Sequence, residues 1–242
     1  ISKKYSLPLV PRGGGTSGYG GSIPAEGGIV VDFSRMNELI QLKESENTVT
    51  VEPGMIWETL ADNLEEYDLA PQIMPSSAPG ATVGGWVAEG GAGIGSFRNG
   101  YVRDMIIQVE LMKPSGETVV CKGDELDLVC GSEGVTGFIT EVTLRVSRRE
   151  DQVPGMVSFN EIRDLANFIE EITGGAIPFW HVGISNSNYV RSHHEAKGAE
   201  STPEGRYFAL LTYPNSVNAR DEIDKVADGS DGKVLPRKVA EE

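Results

Sequence analysis

Glycine constrains this chain more than any other residue, because it gathers in three stretches: Gly13–Gly21, Gly80–Gly100 and Gly131–Gly137. Segments so rich in glycine make poor helices and poor strand interiors, so each reads as a loop. Of 242 residues, 30 are glycine, well above the usual share of about 7%. The excess therefore belongs to loops that the rest of the chain must hold in place.

Between the loops the pattern is one of strands and a helix. Leu7–Val10 leads into the first glycine stretch, and Gly28–Asp32 leaves it as a β-branched run. Thr48–Val51 alternates with period two. Met55–Tyr67 reads as a helix with Ile56, Leu60, Leu64 and Tyr67 on one apolar stripe. Ile106–Met112 is an apolar strand, Pro114–Gly116 a turn and Val119–Cys121 an antiparallel return. Phe138–Val146 alternates as a long strand with one buried face.

The charged run Arg148–Asp151 marks a boundary, giving residues 1–148 and 149–242 as two domains. Beyond it the order is β-α-β-β-α-β. Gly155–Phe159, Pro178–Ile184, Tyr207–Tyr213 and Gly232–Leu235 are the strands. Ser158 and Glu161 resemble a capping box for a helix carrying Ile162, Leu165, Ala166, Ile169 and Ile172. Gly174-Gly175 ends that helix in the left-handed manner, and Val217–Ala227 is the second helix. This order suggests a ferredoxin-like unit. Ser192–Gly205 reads as a polar loop. The start at Ile1 reads as a cut, and so does the end at Lys238–Glu242.

Charge and cysteine content exclude several function classes. With 36 acids against 21 bases the net charge is −15, which disfavours nucleic acid and anionic lipid as partners. No apolar run approaches the roughly 18–20 residues that span a bilayer. Cys121 and Cys130 are too few for a disulfide scaffold or a structural zinc site, and a reducing cytoplasmic setting follows as the default. Adjacent histidines such as His193 and His194 point apart, so no metal site is expected there. His181 reads as a half-buried structural histidine, with lining of a substrate cavity as the alternative. Trp57 and Trp86 read as packing groups, and Cys130 as a core thiol.

The loops themselves suggest a ligand. Pro11-Arg12-Gly13-Gly14-Gly15-Thr16-Ser17-Gly18 follows a strand, and its amides are free to converge on a phosphate or pyrophosphate. A Walker loop is excluded by the lack of Gly-Lys-Ser/Thr. A Rossmann fingerprint is excluded because Gly20, Gly21 and Pro24 stand where its helix must begin. The run Pro75–Gly91 is a long loop with one helical turn at Val83–Ala88, and its small residues let a flat ligand lie against the backbone. Any one of these loops, taken alone, is equally readable as ligand-free structure. A single extended ligand touching all three accounts for them together.

These stretches resemble the FAD-binding domain of the vanillyl-alcohol oxidase/p-cresol methylhydroxylase family, and within it the FAD-linked 2-hydroxy-acid dehydrogenases. That group contains the glycolate oxidase FAD subunit and the D-lactate dehydrogenases. The likeness rests on residues 11–17, 30–37, 49–54, 75–85 and 131–141, with Gly100 and Asp104. It implies an α+β fold: a p-cresol methylhydroxylase-type FAD-binding domain of two α+β subdomains, lacking its first strands, then part of a ferredoxin-like substrate or cap domain. It implies that Arg12, Gly13, Gly14, Gly15, Thr16, Ser17 and Gly18 cradle the FAD pyrophosphate. Pro75, Ser76, Gly80, Thr82, Gly84 and Gly85 would run beside the isoalloxazine and ribityl chain. Glu133, Gly134 and the Ile139 backbone would hold the adenosine end. Thr16 stands where covalent members carry His, which implies non-covalent FAD. Glu89 and two glycines stand where relatives often carry Asn.

The implied function is oxidation of a 2-hydroxy acid such as glycolate or D-lactate by hydride transfer to flavin N5, with electrons passed to an acceptor or partner subunit. No catalytic base is identifiable. Two alternatives remain: a non-catalytic FAD-binding or electron-transfer subunit, and an NADPH-dependent reductase of the same fold. The implied location is cytoplasmic, at a membrane only through a partner.

Overall fold

A computed structural model describes residues 1–198 and 202–241. The chain divides into two units, one from Ile1 to Arg149 and one from Glu150 onward.

In the first unit, β1 (Leu9–Arg12) pairs in parallel with β2 (Ile29–Asp32), with Arg12 opposite Asp32. Next come β3 (Leu39–Lys43), β4 (Thr48–Val51), α1 (Trp57–Glu65), β5 (Leu69–Pro71), α2 (Val83–Glu89), β6 (Ile106–Met112), β7 (Thr118–Lys122) and β8 (Phe138–Arg148). The second sheet runs β3-β4-β8-β6-β7, with β5 added to the far end of β8. Its pairs are all antiparallel.

Helix α1 is shorter than its sequence stripe suggests. Trp57, Leu60 and Leu64 are its buried residues, while Tyr67 lies beyond the helix and is exposed. Val49, Val51, Val83, Val87, Met105, Val109, Val142 and Leu144 complete the core beneath the sheet. Burying each such side chain contributes about 1.5–3 kcal/mol, which anchors the loops that leave these elements.

The alternation in β8 is broken once. Leu111 pairs with Ile139 and Glu110 with Glu141, so Thr140 is an extra residue in the ladder. A bulge of this kind turns the strand by one position. Ile139 therefore shares the buried face with Val142, Leu144 and Val146, although an unbroken strand would put it on the opposite side.

In the second unit the order is β9 (Gln152–Phe159), α3 (Ile162–Thr173), β10 (His181–Asn186), α4 (Ser187–Lys197), β11 (Tyr207–Pro214), α5 (Arg220–Gly229) and β12 (Lys233–Val234). The sheet runs β10-β11-β9-β12 and is wholly antiparallel. One face packs on Leu165, Phe168 and Ile172 of α3 and Ile223, Val226 and Ala227 of α5. The other face buries Met156 and Phe208 with Val190 of α4.

Three local expectations fail here. Ser158 lies in β9 and donates its hydroxyl to the Lys233 carbonyl at 3.4 Å, while Glu161 is the N-cap of α3 and no side chain caps the helix. Gly174 adopts an ordinary right-handed conformation at φ −79°. The segment from Ser192 is helical to Lys197, because Asn186 caps the start through the Tyr189 amide at 2.9 Å and Gly198 closes the end in the left-handed region. Residues 199–201 and 242 lie outside the described residues.

Candidate functional site

The first glycine loop is launched by β1. Its partner β2 fixes the exit, with the Phe33 amide donating to the Arg12 carbonyl at 2.9 Å. Among the described residues, no hydrogen bond uses the amides of Gly13 to Gly18 as donors. Six consecutive unengaged amides are an available anion nest.

This loop lies directly on the second one. A Cβ on Gly13 would collide with Thr82 Oγ1, and a Cβ on Gly14 would collide with the Gly80 carbonyl oxygen. Only glycine permits so close an approach. Thr82 is buried, caps α2 and accepts the Gly85 amide at 3.3 Å. Gly84 lies against Pro53, so the segment after β4 supports α2 from below.

The third loop closes the ring. The Gly131 amide donates to the Val87 carbonyl at 3.1 Å and the Glu133 amide to the Ala88 carbonyl at 2.8 Å. Gly90 stands where a Cβ would come within 2.9 Å of Gly131 Cα. Glu133 itself is left-handed at φ 55°, an unusual state for a residue with a side chain.

The three loops border one open cleft, lined by residues of all three. Of the residues expected from the sequence, Arg12, Gly13, Gly14, Gly15, Thr16, Ser17, Thr82, Gly84, Gly85, Glu133, Gly134 and Ile139 line it. Gly18, Pro75, Ser76 and Gly80 do not. Gly80 lies beneath the first loop, Pro75 is buried and Ser76 faces outward.

Several lining residues are not among those expected to hold the ligand, among them Phe33, Pro53, Ala88, Glu89, Val129 and Ser132. Phe33 packs edge-on against Phe138 with centroids 5.5 Å apart. Trp86 also lines the cleft, held edge-on by Trp57 at 5.3 Å and 85°. The charged lining residues are Arg12, Glu89 and Glu133. With one base against two acids, an anion here depends on backbone amides and not on bulk charge.

A second, shallower hollow borders the first at Glu89. It is lined by Tyr101, Arg103, Asp104, Asp127 and Cys130, among others. Its charges are already engaged. Arg103 Nε donates to Asp127 at 2.6 Å, and Asp104 accepts the Tyr101 amide at 2.7 Å. Burial pushes the Cys130 thiol pKa up to about 11, although the Arg103 guanidinium pulls the other way.

The histidines lie in the second unit. His181 sits on β10, and burial holds its pKa below the ordinary value. His193 stacks on Tyr189 along α4, and His194 is buried on the same helix, not in a solvated loop. Among the described residues no group of three or more His, Cys, Asp or Glu could hold a metal ion.

Relatives share both fold and sequence. The chain is 32% identical over 209 residues to the mitochondrial D-lactate dehydrogenase [cytochrome] of Arabidopsis thaliana, which covers 82% of this chain and 36% of that protein. It is 31% identical over 175 residues to glycolate oxidase subunit GlcD of Bacillus subtilis, covering 69% and 37%. A D-lactate dehydrogenase of Anaerostipes hadrus is 26% identical over 252 residues, covering 97% and 52%. The chain thus spans between a third and a half of the length of these relatives. Among solved structures, an alkyldihydroxyacetonephosphate synthase superposes with a TM-score of 0.78 at 18% identity, covering 96% of this chain and 48% of that one. That likeness shows the p-cresol methylhydroxylase-type fold. The model of the FAD binding domain matches residues 1–122, just over half of the sequence, and the chain belongs to that FAD-binding family.

Proposed function

We propose that the chain is the flavin-binding part of an FAD-linked dehydrogenase or oxidase acting on a 2-hydroxy acid, of the glycolate or D-lactate class. One observation carries the reading: three glycine loops meet through their backbones around a single cleft beside a run of unengaged amides. The residues present fit FAD, because unengaged amides suit its pyrophosphate and close-packed glycines leave room for an extended body.

In this reading the amides of Gly13 to Gly18, with Arg12, hold the pyrophosphate. Thr82, Gly84 and Gly85 run beside the flavin and ribityl chain, with Gly80 supporting them from beneath the first loop. The lining favours these residues over Pro75 and Ser76. Glu133, Gly134 and the Ile139 backbone hold the adenosine end. When bound, FAD supplies a two-electron acceptor for the hydroxy-acid carbon. The chain's own part is to bind and orient it and to keep water from its buried face.

The second unit is read as part of a substrate or cap domain. Its β10-β11-β9-β12 order, in chain order 2-3-1-4, supports a ferredoxin-like cap. A partner subunit or electron acceptor fits the reading, since one relative is itself a subunit. No helix among the described residues is long and apolar enough to cross a membrane. The two free thiols favour a reducing, cytoplasmic setting.

Titration with FAD tests the reading directly. Quenching of flavin fluorescence is expected, followed by bleaching of the bound flavin when D-lactate or glycolate is added without oxygen. Failure to bind FAD at high micromolar concentration overturns it. Bleaching by NADPH in place of a hydroxy acid would reassign the reaction to a reductase.

A further inference from the structure

The cleft places an acid where an anion is to be bound. Glu89 is the last residue of α2, so its carboxylate meets the negative end of the helix dipole. Glu133 lines the same cleft. A carboxylate in this position costs affinity for a pyrophosphate unless it holds something else.

Its two oxygens differ. Oε1 accepts the Ser17 hydroxyl at 3.0 Å. Ser17 Oγ in turn accepts the Tyr19 amide at 3.3 Å. The exit of the first glycine loop therefore hangs on Glu89. Oε2 has no hydrogen-bond partner among the described residues, and Glu89 lines the cleft wall.

An ionised carboxylate only accepts hydrogen bonds. It repels phosphate oxygens and takes a neutral donor. In FAD the pyrophosphate is flanked by the ribityl chain on one side and ribose on the other, and both carry hydroxyls. Ser17 directly follows Thr16 in the loop proposed for the pyrophosphate, so a sugar hydroxyl beside the pyrophosphate is the neutral donor that would suit Glu89.

We propose that Glu89 is an FAD-contacting residue with two tasks: Oε1 clasps the first glycine loop through Ser17, and Oε2 receives a sugar hydroxyl of the cofactor. The proposal rests on the FAD reading above.

A mutant cycle read by FAD titration tests it, with melting of the apo-protein as a control for folding. Glu89→Ala is expected to weaken FAD binding about tenfold, in line with the loss of a hydrogen bond to a charged group. Glu89→Gln keeps an acceptor and loses less. Ser17→Ala also weakens binding. The double variant S17A/E89A binds about as E89A does, because Ser17 acts through Glu89. Should E89A not fold, Glu89→Met takes its place, keeping the length and removing both oxygens. Wild-type protein that binds FAD while E89A binds as tightly or more tightly overturns the proposal alone. So does a double variant whose loss is the product of the two single losses. Wild-type protein that binds no FAD overturns the underlying reading and this one with it.

Discussion

Gly134 and Pro11 meet where the third loop reaches the first: a Cβ on Gly134 would lie 2.8 Å from Pro11 Cγ, and Gly134 is left-handed at φ +77°. Both residues line the cleft. Contact and conformation together demand glycine.

Gly134→Ala is expected to weaken FAD binding by about tenfold or more, since the left-handed state alone costs roughly 1–2 kcal/mol for a residue with a Cβ. Overall stability falls by a similar small amount. Paired FAD titration and thermal melting check this, and unchanged affinity would show that this contact does not shape the site.

Thr82→Ala removes the oxygen that caps α2. The expected loss is about 1 kcal/mol, or a Tm lower by roughly 2–4 °C for a protein of this size. Thr82→Ser restores most of it, since the hydroxyl is kept. Calorimetry on the three proteins decides.

The thiols predict a pH response. Burial raises the pKa of both Cys121 and Cys130, the latter to about 11. At pH 8 only about one Cys130 in a thousand is thiolate, so alkylation by iodoacetamide is slow and speeds up as the pH climbs. The unfolded chain loses these protons first, from about pH 9. Stability therefore falls as pH rises from there towards 11. Mass spectrometry of alkylated protein and melting curves across this range test both signs.

His181 acts in the opposite direction. Its folded pKa lies below the ordinary 6.5, so as pH drops through that value the unfolded chain gains a proton that the folded one refuses. Stability falls on acidification, and His181→Gln is expected to flatten that slope. Denaturant melts between neutral and mildly acidic pH measure it.

Thr16 has no nitrogen to bond the flavin. Acid precipitation of FAD-loaded protein is expected to leave the yellow colour in the supernatant. Colour retained on the pellet overturns non-covalent binding at this position.

The glycine clusters were legible because glycine's missing side chain is itself the information: Gly13, Gly14 and Gly134 each sit where a Cβ would strike another loop. Apolar runs such as Val142, Leu144 and Val146 were legible for the same reason of simple periodicity. Other features depended on pairing with distant partners. The extra residue at Thr140 is visible only once β8 lies beside β6. Strand β3, with Leu39 and Leu42 packed on the core but Ile40 exposed, carried too weak an alternation to find. Helix α4 was hidden by its polar composition, its cap at Asn186 being readable only after the strand before it is placed. In the cleft, Phe33 and Pro53 belong to stretches that carry the family likeness, but nothing within those stretches shows that their side chains fold back onto the glycine loops.

Loops that touch through main-chain atoms leave little room for adjustment. Where Gly14 meets Gly80 and Gly90 meets Gly131, enlarging the residue pushes on a neighbouring backbone, which has no rotamer to yield. The cleft is thus a mould of fixed dimensions. Its properties can drift only at the few wall positions that present a movable side chain, chiefly Arg12, Ser17, Glu89 and Glu133, and a designer seeking altered cofactor affinity should vary these and leave the mould alone.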